Sequence, residues 1–154
     1  MPQRAFADRL LDLADKRGAE IAEHWYKSVS KNPRTPSYHN LPQETVILQA
    51  TSIYKNLKHL YFADNPYQEV LQLLEKIRFV EEAYAKGILL PEAVYALIMM
   101  RRHIWLFAEL QAMFITSGDM YQAVESINRT LLVFDYAIYI VTQKYYEINR
   151  KTLF

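Results

Sequence analysis

The chain has no cysteine, which excludes disulfides, iron–sulfur clusters, zinc fingers and cysteine nucleophiles, and leaves no thiols from which to read a redox compartment. Glycine occurs only three times in 154 residues. No glycine-rich phosphate loop, nucleophile elbow or paired-carboxylate signature appears, and no enzymatic activity is expected. Net charge is also nearly absent: 18 Lys and Arg against 17 Asp and Glu leave +1. With acids interleaved among the basic and aromatic residues, no nucleic-acid partner is expected.

A long uninterrupted apolar run is missing too. The longest apolar region, residues 88–115, is broken by Pro91, Glu92, Arg101, Arg102, His103 and Glu109. Consecutive basic groups near mid-membrane are costly, so a buried helix is read there and no membrane insertion. Arg4, Asp8, Arg9 and Asp12 occupy the place where a secretory leader needs an apolar stretch, so a cytoplasmic location is expected. His24, His39 and His59 have no partner at metal-ligand spacing, so neither metal nor cofactor is expected.

What is present is helical periodicity. Hydrophobic residues make up 51% and charged ones 23%, a folded, helix-rich composition, and the length suits one domain over residues 1–154. Phe6, Leu10, Leu13, Ile21, Trp25 and Val29 trace a first helical face, interrupted at Gly18, where the helix bends or breaks. Residues 32–39, with Pro33 and Pro36, form the one long connection. Asn40, Pro42 and Gln43 resemble a capping box ahead of Val46, Ala50, Ile53, Leu57 and Leu60. Asp64, Asn65 and Pro66 separate that helix from a third running to Lys86, on Val70, Leu74, Ile77, Val80 and Tyr84, closed by a left-handed Gly87. Pro91 opens a fourth, apolar on nearly every side, which is expected to be the most buried.

Thr116, Ser117 and Gly118 make the next turn, and Asp119 with Gln122 caps the last helix, which runs to about Thr152 without proline or glycine. Val124, Ile127, Leu131, Phe134, Ile138, Val141, Tyr145 and Ile148 alternate at steps of three and four, a heptad seam. A rod of roughly 50 Å exceeds the diameter of about 40 Å expected for a compact domain of this size, so its end should project or pair. Ile127, Leu131, Phe134, Ile138, Val141, Tyr145 and Ile148 are therefore the candidate dimer interface. Tyr136, Tyr139, Tyr145 and Tyr146 suit the same role, since tyrosine is enriched where proteins meet.

Four local sequences together resemble the N-terminal domain of bacterial RsbT co-antagonist proteins of the RsbR and RsbRD type. They are Ile21-Ala22-Glu23-His24-Trp25-Tyr26, Arg34-Thr35-Pro36-Ser37-Tyr38 before Leu41-Pro42, Lys86-Gly87-Ile88 with Leu90 and Glu92, and Met100-Arg101-Arg102-His103-Ile104-Trp105. Each is a helix-packing pattern, and their order and spacing extend over nearly the whole chain. The resemblance implies an all-α bundle of five to six helices, globin-like without haem, with a long C-terminal helix. It further implies a sensory input domain, usually dimeric, in a stressosome-like signalling system, ahead of a STAS or kinase-type output module. The sequence ends at Phe154 before such a module, as an excised domain or a stand-alone relative would.

Arg101, Arg102 and His103, with Trp25 and Trp105, are the candidate ligand-binding residues. Successive helical positions lie about 100° apart, so the three cannot face one way. In the functional reading one arginine lines a cavity and receives an anionic small molecule through its planar fork. In the plainer and preferred one it pairs with Glu81, Glu82, Asp135 or Glu109. The alternatives to a sensor are a structural protein-interaction module without ligand and, more weakly, a haem-binding globin-like sensor using His103.

Overall fold

Breaks in the helical periodicity set the layout. The computed structural model describes the backbone of residues 5–110 and 117–153, and the side chains of residues 8–107 and 128–151. Those residues are all-helical, without strands: α1 (Ala5–Lys16), α2 (Gly18–Val29), a 3₁₀ turn (Pro36–Tyr38), α3 (Gln43–Phe62), α4 (Pro66–Lys76), α5 (Phe79–Ala85), α6 (Leu90–Leu110) and α7 (Ser117–Leu153). Seven α-helices stand where five to six were expected, because two periodic segments are each cut in two.

The first cut falls at Gly18, as its sequence position suggested. Gly18 is buried against α3, and a Cβ there would lie 3.0 Å from Lys55 Cγ and 3.4 Å from Tyr54 Cβ. A missing side chain lets the start of α2 approach α3 closely. The second cut was not expected. The segment read as one helix to Lys86 breaks at Arg78, which adopts φ 54° in the left-handed region. In an unbroken helix Phe79 would point away from Val70 and Leu74, about half a turn round. The kink instead brings Phe79, Val80 and Ala83 inward, each at most 5% exposed. Gln49 Nε2 donates to the Ile77 carbonyl at 3.1 Å, satisfying an acceptor beside the break.

Helix ends divide in the same way. Gly87, at φ 76°, closes α5 in a Schellman arrangement: its N–H donates to Tyr84 O (3.1 Å) and that of Ile88 to Ala83 O (3.0 Å). Asn65 caps α4, accepting from the Gln68 N–H at 3.3 Å. The capping box expected from Asn40 does not form. Pro42 occupies the N-cap of α3, without a side-chain cap, because the helix starts only at Gln43.

The helix α6 carries the central stripe: Ala93, Ala96, Leu97, Met100, Ile104 and Phe107 are at most 3% exposed. Its opposite edge, at Arg102 and Leu106, reaches solvent, so it is not buried all round. Three large side chains from other helices bury their polar tips on its backbone or just before it. Trp25 Nε1 donates to Ala96 O (2.9 Å), Tyr54 Oη to Met100 O (2.8 Å) and Tyr145 Oη to Ile88 O (2.8 Å).

The last helix spans 37 residues without a break, starting two residues before Asp119, and lies against α1, α3, α4, α5 and α6. The described part of its heptad seam, from Leu131 on, points largely inward. Phe134, Val141 and Tyr145 are at most 2% exposed, and Leu131, Ile138 and Ile148 are half-buried, the last two packed on the core. The side chains of Val124, Ile127, Asp119 and Gln122 lie outside the described residues. The expected overhang is short: Lys144 pairs with Glu75 (3.3 Å) and Tyr84 Oη donates to Asn149 Oδ1 (3.0 Å). These contacts hold the rod down almost to its end.

Two substitutions separate backbone strain from packing. Gly87→Ala has open space around the new Cβ but forces an L-residue into the left-handed region, and should cost about 1 kcal/mol. Arg78→Gly relieves the same strain and should be neutral or stabilising by up to about 1 kcal/mol. Urea unfolding at neutral pH measures both; equal effects of like sign would contradict this account.

Candidate functional site

The pieces of sequence that carry the resemblance are far apart in the chain and meet at one place. Trp25 lies edge-on to Tyr38, ring centroids 6.2 Å apart. Glu92, 6% exposed in the first turn of α6, accepts from the Ser37 N–H (2.7 Å) and the Ser37 hydroxyl (2.6 Å). A carboxylate there also favours the positive end of the helix dipole. Burial, followed by the nearby Tyr145 and Glu92, pushes the Tyr38 hydroxyl above its ordinary pKa. Burial, with Tyr84 and Glu92 adding to it, raises that of Tyr145 to about 12. Both phenols therefore stay neutral at physiological pH.

This cluster is filled. The void bounded by Trp25, Tyr38, Lys86, Ile88 and Met100 measures ≈ 10 Å³, room for one water at most. Trp25, 2% exposed and bonded to α6, is a core clasp beside that void. Trp105 is half-buried against the core, apart from the hollow that α6 opens to solvent.

The three adjacent residues Arg101, Arg102 and His103 of α6 diverge, as their spacing requires. Arg101 Nη1 lies 3.4 Å from Asp135 Oδ1 on α7, a pairing foreseen in the plainer reading. With Asp135 61% exposed, the pair contributes at most about 1 kcal/mol. Glu81 and Glu82 do not reach Arg101; Lys86 Nζ instead sits 3.6 Å from Glu82. The Glu109 side chain lies outside the described residues. Arg102 is exposed and makes no ion pair among the described residues. His103 is half-buried, and burial, then His24 and Arg102, hold its pKa below the ordinary 6.5. Nearby, the His24 ring packs on Phe107 (5.9 Å), which also carries the Arg17 guanidinium (5.0 Å).

Arg102 and His103 line an open hollow of ≈ 350 Å³ between α2 and α6, with Lys27, Lys31, Met99 and Leu106 around it. The lysines were not singled out from sequence. Their one signal is a four-residue spacing across the C-terminal end of α2, with Lys31 two residues beyond Val29, which by itself reads as a complement to the helix dipole.

A second surface lies on α7. Leu132 (40%), Tyr139 (58%) and Tyr146 (64%) are exposed at intervals of seven, one position away from the predicted seam. Among the described residues no group of His, Asp and Glu is arranged to hold a metal ion, and no helix is long and apolar enough to cross a membrane. No protein-family model, curated protein or solved structure matches the chain.

The depressed pKa of His103 fixes a pH dependence. The unfolded chain takes up this proton first, so the group's contribution to stability is present above about pH 6.5 and lost as pH falls through the lower folded value. His103→Gln should flatten the stability profile below that pH in urea titrations. A variant with the wild-type slope would show that His103 is not the group responsible.

Proposed function

We propose that this chain is a regulatory input domain, globin-like in layout and without haem, which forms a homodimer and relays a change along α7 to an output module of STAS or histidine-kinase type. The observation that carries the reading is α7: 37 unbroken residues lying against five of the other six helices. A shift in any of them is transmitted to one rod, and a rod can rotate or slide against its twin. A signal acts only if it prefers one of the two arrangements. The resemblance to the RsbR and RsbRD input domains supports the reading, because its dispersed residues Trp25, Ser37, Tyr38, Ile88, Glu92 and Met100 converge in one buried cluster. Since Phe134, Val141 and Tyr145 serve the protomer's own core, the twin contact is assigned to Leu132, Tyr139 and Tyr146.

The second reading is a structural interaction module. It is favoured by the filled void against Trp25, which leaves no interior room for a ligand there, and it uses the same strip on α7 for docking alone.

Sedimentation at roughly tens of micromolar, a range in which interfaces of standard size are occupied, should give a dimer that Tyr139→Glu converts to monomer with an unchanged helical spectrum. A wild-type monomer removes the homodimer. Relay is tested by inserting one to seven residues between Phe154 and a fused histidine-kinase module, each adding a rotation of roughly 100°. Output that rises and falls with helical phase is expected. A flat response leaves only the docking module.

A further inference from the structure

The hollow between α2 and α6 is a place where like charges gather without a counter-charge. Lys27, Lys31 and Arg102 border it, none of them in an ion pair among the described residues, and no described carboxylate lines it. None of the described acids of the two helices is bonded to these cations. Glu20 is held by Arg17 at 2.6 Å and Glu92 by Ser37, while Glu23, one turn before Lys27, is exposed and forms no bond to it. Three cations on one rim repel each other, and the carbonyl end of α2 beneath the lysines offsets only part of that repulsion. Elsewhere on the surface the protein pairs such groups, as in Lys58–Asp12 (2.9 Å) and Lys144–Glu75 (3.3 Å). The charge left at this rim fits an anion of more than one charge.

The rest of the lining specifies more. Met99, itself 8% exposed, and Leu106, 38% exposed, give the hollow an apolar side next to its cations. His103 also lines it and, with its depressed pKa, offers a neutral ring at pH 7. Its volume of ≈ 350 Å³ is at the small end for ligand sites, which span roughly 300–1,000 Å³. We propose that this hollow binds a small organic phosphate, whose oxyanion is held by Lys27, Lys31 and Arg102 and whose apolar part lies on Met99 and Leu106. Guanidinium supplies a bidentate fork and the two ammonium groups supply point charges, a combination matched to a phosphate dianion. The inference deepens the input-domain reading and rests on it for its meaning: α6, which carries Arg102, also packs along α7, so an occupant bridging α2 and α6 acts on the relay.

Inorganic phosphate, phenyl phosphate and benzoate are the probes, titrated into the intact chain at low ionic strength by calorimetry, with the His103 ring followed by NMR. Phenyl phosphate is expected to bind with an upward shift of the His103 pKa, because a bound anion favours the imidazolium. It should bind at least roughly tenfold more tightly than inorganic phosphate, given the worth of burying an aromatic ring against apolar side chains, and more tightly than benzoate. Arg102→Gln and Lys27→Gln/Lys31→Gln should each weaken it by roughly tenfold or more, as expected for lost charged hydrogen bonds. Exposed at the surface, these positions should leave the melting temperature unchanged, which shows that the variants fold. Absence of phenyl phosphate binding, binding retained by both variants, or equal affinity for inorganic and phenyl phosphate each overturns the proposal. Binding is read without any output module, so a site that binds phosphate while the junction insertions give a flat response sinks the input-domain reading and leaves the site standing.

Discussion

The fold depends on how polar tips are buried against α6. An indole N–H and two phenol hydroxyls cannot be taken from water without a partner except at a cost of about 1–3 kcal/mol each. All three find one in main-chain carbonyls. Trp25 from α2 and Tyr54 from α3 bond to Ala96 and Met100, one turn apart on the same face of α6, and Tyr145 from α7 bonds to Ile88 just before it. Each aromatic thus supplies area to the core and a direction as well. Apolar contact alone would allow α2, α3 and α7 to slide along α6. A donor that must meet one carbonyl allows far less.

Glu92 extends this logic to the loop. Its two bonds to Ser37 tie the 3₁₀ turn to the first turn of α6 and place Tyr38 against Trp25, so the longest connection in the chain is anchored to the core. The same cluster leaves only a water-sized void, so the open hollows of the described residues lie at the surface. There, the three adjacent residues of α6 meet three environments. Arg101 finds a carboxylate on α7, His103 is partly desolvated, and Arg102 faces a rim shared with Lys27 of α2 and Lys31 just after it. Helical geometry separates neighbours in sequence by about 100°, so their surroundings are separated too.

The helix α7 shows both the reach and the limit of periodicity. Its length and continuity were legible, because no glycine or proline occurs in the 36 residues after Gly118 and apolar positions recur throughout. Which way the seam faces was not. Phe134, Val141 and Tyr145 obey a coiled-coil spacing, yet that spacing also suits a helix pressed against its own protomer. The strip left outside, Leu132, Tyr139 and Tyr146, follows the same interval one position over. At Arg78 the failure is of another kind. Neither glycine nor proline marks the kink, and an arginine with positive φ is held there because turning Phe79 and Ala83 inward outweighs a local strain of about 1 kcal/mol.

Sequence alone was enough to establish an all-helical chain, the break at Gly18, the helix boundary at residues 64–66, the left-handed closure at Gly87, the continuity of the last helix and the divergence of Arg101, Arg102 and His103. Each of these follows from short-range rules of backbone sterics and helical spacing, which act within a few residues. Only the tertiary structure decided that Trp25 is a clasp, that Asp135 is the partner of Arg101, that Lys27 and Lys31 stand beside Arg102, and that the heptad seam from Leu131 to Ile148 is turned inward. Those outcomes depend on which groups distant in sequence are brought within a few ångströms, and periodicity names the face a residue occupies without naming what lies across from it.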